Sequence, residues 1–400
     1  MINRVLILSY YNPWISGGGH RPVCLLEQEL AKGRNVLFLF ESDAEMDLMI
    51  NYGLFNDRNL FLAKRNPETG ESSPCNAQAK ALLGEGLKDN ELILCWSPDY
   101  VRSHNPVKSY IPLLKLCKEN DIPHVYDQMD YWDGFAVKPW GDKTEKIYFN
   151  YSEESITISN WLAKHTKTDK TLHVIPNGVK NHFLEQIRLK DSDDVVQRNN
   201  QDKKIILYSG AIWPDWFDWD IVKYIVNKRP EYNFVFVGAY SPTLDEDDGR
   251  HVNRIIKELS KLDNVSFLGQ VQHHELIPIL QKAHIGIIPF VVNKVTEACS
   301  PLKCFEYLSA YLPVISTNLP EIKDYPMVTL VNNKEAFLEE LDKMLSLEIT
   351  SDIIDQIEHF LIKSTWKMRS DEFDKVAINA IYKCKNRFNS SIQETSLVSN

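Results

Sequence analysis

Short apolar runs alternate with amphipathic stretches along most of this chain, and that alternation sets the expected architecture. Residues 5–9 open with the apolar run Val5-Leu6-Ile7-Leu8, the pattern of a parallel strand buried on both faces. A loop follows, with Gly17-Gly18-Gly19, then a helical pattern through Leu30, a stop at Gly33 and a second strand at 36–40. This is a βαβ unit with a glycine-rich turn at the carboxyl end of its first strand, the place where open α/β sheets bind ligands. Further strands are expected at 92–95, 125–126, 155–159 and 172–175, with helical patterns such as 110–120 between them. The strand at 172–175 runs into the turn Pro176-Asn177-Gly178-Val179, and residues 180–203 read as a polar stretch, with Asp191, Asp193, Asp194, Gln197, Arg198, Asn199 and Asn200 in close succession.

A second alternation begins beyond that stretch. Strands are expected at 205–209, 234–238, 265–268, 285–288, 314–317 and 327–331, and helices at 221–226, 252–259, 275–283 and from Pro301 onward. Helical patterns continue past Phe337 to about Arg387, and the Ser- and Asn-rich tail predicts no order. The fold class is therefore α/β, two doubly wound halves. The expected domains are 1–180, a linker at 181–203, a second domain at 204–365, a helix at 366–388 and a disordered tail at 389–400.

Composition narrows the function classes. A chain of 400 residues with 44% hydrophobic residues can fill two cores, and a net charge of -10 argues against a general nucleic-acid binder. The seven cysteines are scattered, with no Cys-x-x-Cys pair and no zinc-ligand spacing, which fits reduced thiols in the cytoplasm. The apolar start at Val5 is too short for a signal sequence, and no apolar run approaches the roughly 20 residues that span a bilayer.

The chemistry concentrates at Ser300-Pro301-Leu302-Lys303-Cys304-Phe305-Glu306. Serine as an N-cap and proline at the first helical position predict a helix start at Pro301. Its unpaired amides, positive dipole end and Lys303 suit a phosphate, and Glu306 lies one turn along the same face. An ordinary surface Lys–Glu pair is the plainer alternative. The glycine-rich turn lacks Gly-x-Gly-x-x-Gly spacing, so it is no dinucleotide fingerprint, but it allows close backbone approach, with His20 and Arg21 at the helix that follows. His273-His274 precedes a helix and reads as capping and exposure. Trp213, Trp216, Phe217 and Trp219 could stack a sugar or base, although core packing is the expected role for at least half of them.

A family likeness rests on several separate stretches. The runs Asn264 to Val271, Ala283 to Phe290, Ser300 to Leu308 and Pro313 to Thr317 resemble the nucleotide-sugar half of GT-B glycosyltransferases. Pro176-Asn177-Gly178-Val179 and the glycine-rich turn add to the likeness, which is nearest to glycosyltransferase family 4 and to bacterial cell-surface polysaccharide enzymes of the teichuronic-acid type.

The resemblance implies two Rossmann-like domains facing a cleft, a donor held mainly by the C-terminal domain and a last helix crossing back to the N-terminal one. It implies a hexosyltransferase moving a sugar from a nucleotide diphosphate-sugar, with UDP the expected nucleotide, to a saccharide or lipid-linked acceptor. The setting it implies is polysaccharide synthesis in the cytoplasm, with peripheral contact at the inner face of the plasma membrane as an option. No metal or other cofactor is expected. Gly18, Gly19, Arg21, Gly210, Ser300, Pro301, Leu302, Lys303 and Glu306 are the implied donor contacts, with Glu306 on the ribose hydroxyls. Asp130 is the implied base, since carboxylates suit proton removal from an acceptor hydroxyl, while His20, Asp127 and Glu297 are further candidates for sugar or acceptor contact. A base at Asp130 favours inversion, whereas much of family 4 retains.

Two departures bear on these assignments. Ala298 stands where many family members have Glu, with Glu297 shifted by one, and the loop Gly210 to Asp218 lacks the usual Arg and Lys. Phosphate charge is then left to Lys303 and Arg21. The missing basic residues keep open a catalytically degenerate GT-B scaffold that binds nucleotide-sugar or glycan. A nucleotide-sugar oxidoreductase or epimerase is the other rival, and it would call for a dinucleotide fingerprint that Gly17-Gly18-Gly19 does not supply.

Overall fold

Burial of whole apolar strands determines how this chain folds. The computed structural model describes residues 2–12, 20–41, 56–134, 143–188, 203–213, 216–240 and 247–398. Val5, Leu6, Ile7 and Leu8 in β1 (Arg4–Leu8) have no exposed surface, so the strand needs cover on both sides and lies inside a parallel sheet. Its neighbours are β2 (Asn35–Phe40) and β6 (Tyr100–Ser103), both parallel to it. The sheet extends through β3 (Leu60–Arg65), β4 (Glu71–Pro74) and β5 (Leu87–Lys88) on one side. On the other side lie β7 (His124–Gln128), β8 (Glu154–Thr157) and β9 (Leu172–Val174). The order is β5-β4-β3-β2-β1-β6-β7-β8-β9, with β4 antiparallel to both of its neighbours.

The chain divides into two compact units, Met1–Pro176 with Lys367–Asn400, and Asn177–Trp366. The second holds an all-parallel sheet of order β12-β11-β10-β13-β14-β15. Its strands are β10 (Ile205–Ser209), β11 (Asn233–Val237), β12 (Val265–Gly269), β13 (Ile285–Ile288), β14 (Val314–Thr317) and β15 (Val328–Val331). The core here is one continuous apolar cluster that includes Leu207, Val222, Phe236, Ile287, Phe305 and Leu341.

Three expectations need correction. Residues 92–95 are not a strand but part of the helix Asp89–Trp96, because Leu92, Ile93 and Trp96 are buried at helical spacing while Leu94 and Cys95 face solvent. The strand of this region is β6, which the pattern hid behind Arg102. That arginine is fully buried and donates to Glu29 and Tyr100. In the stretch read as a linker, Asn181–Arg188 is a helix burying Phe183 and Leu184, while 189–202 lie outside the described residues. The last helix runs Trp366–Val398, through most of the tail for which the sequence predicts no order.

That last helix belongs to the first unit from Lys367 onward and is fixed there by charge and aromatic contacts. Asp374 accepts from Arg34 through both oxygens and from Lys32, and Phe373 lies under the guanidinium groups of Arg21 and Arg102. Further along, Glu154 is engaged by Asn379 and Lys383.

Candidate active site

The phosphate-suited stretch of the second unit is built on glycine contacts. Gly238 has φ +146°, and a Cβ there would lie 2.0 Å from the Gly210 carbonyl oxygen, so the ends of β10 and β11 meet backbone to backbone. A Cβ on Gly210, at φ +127°, would lie 2.9 Å from Lys303 Cε. The helix Leu302–Ser309 is anchored by Tyr307, whose hydroxyl accepts from the Ser209 amide at 2.7 Å while its ring packs on Gly286.

Pro301, rather than Ser300, occupies the N-cap position of that helix, with φ −65° and ψ 112° and no side-chain cap bond. Ser300 is buried and turned away from the helix amides: its hydroxyl accepts from the Asn177 amide at 3.2 Å, and its carbonyl accepts from Asn177 Nδ2 at 2.7 Å. The turn Pro176-Asn177-Gly178 thus fixes the start of the helix, and by position the amides of Leu302 and Lys303 have no helical acceptor.

Lys303 extends over the Gly210 backbone between two rings. Its Nζ is 4.8 Å from the centre of Tyr208, 4.4 Å from that of Phe290 and 3.5 Å from the Tyr208 hydroxyl. Among the described residues it has no carboxylate in ion-pair range. Burial lowers its pKa to about 8, partly countered by Cys299, Glu306 and Cys304. A cation held by ring faces and not neutralised by a carboxylate is arranged to meet an incoming anion.

Glu306, one turn on, is mostly buried and accepts at 2.8 Å from His273 Nε2. His273 in turn stacks on Phe183, with ring centres 5.0 Å apart and planes at 25°. Glu297 is half-buried at the end of the short helix Lys294–Glu297, and Ala298 is fully buried. Phe217 and Trp219 pack in the core, whereas Trp213 and Trp216 remain partly exposed.

The first unit carries the acidic residues at the end of β7. Asp127 has no exposed surface and pairs with Arg21 through both oxygens, at 2.8 and 2.9 Å, and with His104 Nδ1 at 2.9 Å. Burial alone would raise its pKa, but Arg21 and His104 more than offset this and hold the carboxyl below the usual range. The expectation that Arg21 is available to a diphosphate therefore does not fit its placement. The guanidinium is buried, its charge is met by Asp127, and Nη1 also reaches the Pro176 carbonyl. Asp127 is likewise occupied by its partners.

Asp130 lies two residues past β7 and is partly exposed. Burial and then Glu145 push its pKa up to about 7. Glu145 also rises to about 7, mainly by burial and despite the bonds it accepts from Tyr126 at 2.8 Å and Gln128 at 2.9 Å. The charge of Glu145 thus acts on Asp130 from the helix Thr144–Tyr151. His20 stands at the N-cap of the helix Arg21–Ala31, without a side-chain cap bond, and Gly18 and Gly19 lie outside the described residues.

Sequence reasoning missed Glu145, His104, Tyr208 and His273. Glu145 and His104 are far in sequence from the acids they serve. His273 was visible, and its position just past β12 was the signal that could have brought it to the site.

Parts of the chain and its fold resemble known proteins. Residues 203–346, within the second unit, match the family described as Glycosyl transferases group 1. Over 185 residues, 44% of this chain, the sequence is 28% identical to the Bacillus subtilis protein TuaH, named as a teichuronic acid biosynthesis glycosyltransferase. The match spans 44% of that relative, less than half of its length. A Rickettsia africae glycosyltransferase superposes with a TM-score of 0.67 at 13% identity, over 95% of this chain and 99% of that one. Anabaena HepE, in complex with UDP and glucose, gives 0.65 at 12% identity over 94% and 99%. At these identities the structural likeness establishes the fold, which is GT-B.

Proposed function

We propose that this protein is a glycosyltransferase that moves a hexosyl group from a nucleotide diphosphate-sugar, with UDP as the favoured nucleotide, to a saccharide or lipid-linked acceptor. The observation that carries the reading is Lys303, an ammonium held by two aromatic rings beside two unpaired helix amides and one turn from the carboxylate of Glu306. In this reading Lys303 and the amides of Leu302 and Lys303 receive the diphosphate across Gly210, Pro301 sets the start of the helix, and Glu306 accepts from the ribose hydroxyls. Ser300 acts through Asn177 to hold the helix start in place.

Transfer breaks the bond between the anomeric carbon and the diphosphate oxygen and forms one to the acceptor oxygen. Asp130, raised to about 7, takes the proton from the acceptor hydroxyl, and Glu145 helps keep it basic. The charge left on the diphosphate falls to Lys303, without a metal ion. In this reading His20 and Glu297 are further sugar or acceptor contacts.

The likeness to TuaH, named for teichuronic acid biosynthesis, supports a role in cell-surface polysaccharide synthesis. In this reading the protein works in the cytoplasm, and lipid-linked acceptors would bring it to the inner membrane face. Among the described residues no helix is long and apolar enough to cross a membrane.

The test is a panel of UDP- and GDP-sugars with saccharide and lipid-linked acceptors, read as release of nucleotide diphosphate and as glycosylated product. Turnover with a UDP-sugar is expected. Tight nucleotide binding without turnover in any acceptor mixture would make the protein a binding scaffold instead.

A further inference from the structure

Glu306 is held by a side chain that no part of the reading above uses. His273 lies just past β12, in a single turn, His273–Glu275, closed by reciprocal bonds between Gln272 and Glu275. Its ring is stacked on Phe183, which is fully buried in the helix Asn181–Arg188. Its Nε2 is 2.8 Å from Glu306 Oε1, and both side chains are largely buried, at 12% and 15% exposure. An ionised carboxylate only accepts, so His273 carries its proton on Nε2. Phe183 fixes the plane of the ring, the ring fixes one oxygen of the carboxylate, and the second oxygen keeps its full accepting capacity.

We infer that His273 is a positioning residue for ribose recognition, holding the Glu306 carboxylate in the orientation that accepts from two neighbouring hydroxyls. The inference rests on the reading of Glu306 as the ribose ligand. A free glutamate side chain samples many rotamers, and fixing one on ligand binding costs affinity. His273 makes that selection before the ligand arrives. Nothing in a packing role alone would make the effect depend on the hydroxyls of the ligand.

That dependence supplies the test. Binding of UDP and of 2′,3′-dideoxy-UDP is measured calorimetrically for the full chain and for Glu306→Ala, His273→Leu and His273→Gln. Leucine keeps apolar bulk against Phe183 without a donor, and glutamine keeps an N–H near the place of Nε2. His273→Leu is expected to weaken UDP on the order of three- to tenfold and to leave dideoxy-UDP within about twofold. His273→Gln should recover most of the loss. Equal weakening of both ligands, or no weakening of UDP, in His273→Leu overturns the positioning role. If His273→Leu does not fold, His273→Ala takes its place, and equal weakening of UDP and dideoxy-UDP in it, or no weakening of UDP, overturns the role equally. Glu306→Ala tests the underlying reading separately: if it keeps the wild-type preference for UDP over dideoxy-UDP, Glu306 is not the ribose ligand, whatever His273 does.

Discussion

Lys303→Met is the most direct perturbation of the proposed diphosphate contact. Methionine fits the same path over Gly210 and between Tyr208 and Phe290, so the change removes charge and donors while keeping most of the packing. A hydrogen bond from a charged group contributes about 1.5–3 kcal/mol, so UDP affinity at neutral pH should fall roughly 10- to 150-fold. The structure also sets a pH signature. Burial lowers the Lys303 pKa to about 8, so about nine-tenths of the free protein is protonated at pH 7 and about one-tenth at pH 9. Only the protonated form offers the charge, so the advantage of wild type over Lys303→Met should shrink about tenfold between those two pH values. Titration calorimetry with UDP at several pH values measures both quantities. Taking the ratio of the two proteins removes the ionisation of UDP itself. Equal affinity at pH 7, or a ratio unchanged at pH 9, would refute the assignment of Lys303 to the phosphate.

Two further predictions concern the first unit. Asp130→Asn should lower transfer by about two to four orders of magnitude while UDP affinity stays within about twofold, and Glu145→Gln should move the acid limb of the rate profile to lower pH, because it removes a charge that raises the Asp130 pKa. Both are read from initial rates, and normal turnover in Asp130→Asn would exclude it as base. Asp127→Asn leaves the Arg21 charge buried without its partner and should cost about 3–5 kcal/mol, read as a lower denaturant midpoint. Because the folded Asp127 titrates below its ordinary range, its stabilisation is present above that range and is lost as pH falls through the folded value. A midpoint for Asp127→Asn equal to that of wild type would show that the pair is dispensable.

Much of the second unit was legible because its strands are plain apolar runs. Ile205–Ser209, Ile285–Ile288 and Val314–Thr317 fall at the bounds expected from the residues. The first unit was harder to read because its sheet buries charge. Arg102 stands in the middle of β6, and a buried arginine looks like a surface residue until Glu29 and Tyr100 are seen beside it. The same holds at the site. Lys303 and Glu306 are one turn apart and could be paired from the sequence, but the partners that define them, Tyr208, Phe290 and His273, come from three other strand ends. Ser300 was misread for a related reason. Its local pattern is that of an N-cap, and a tertiary contact with Asn177 takes the hydroxyl instead.

The order in which a ribosome delivers this chain gives the last helix a further meaning. Arg21 and Arg102 emerge early, yet the ring that covers both, Phe373, is made only after the whole of Asn177–Trp366. Arg34 waits equally long for Asp374. The first unit to leave the ribosome is therefore the last to be completed, and during synthesis its early segments stand open while the second unit already has every strand it needs. A chain ended just after Trp366 would hold every strand of the second unit and lack the helix that completes the first.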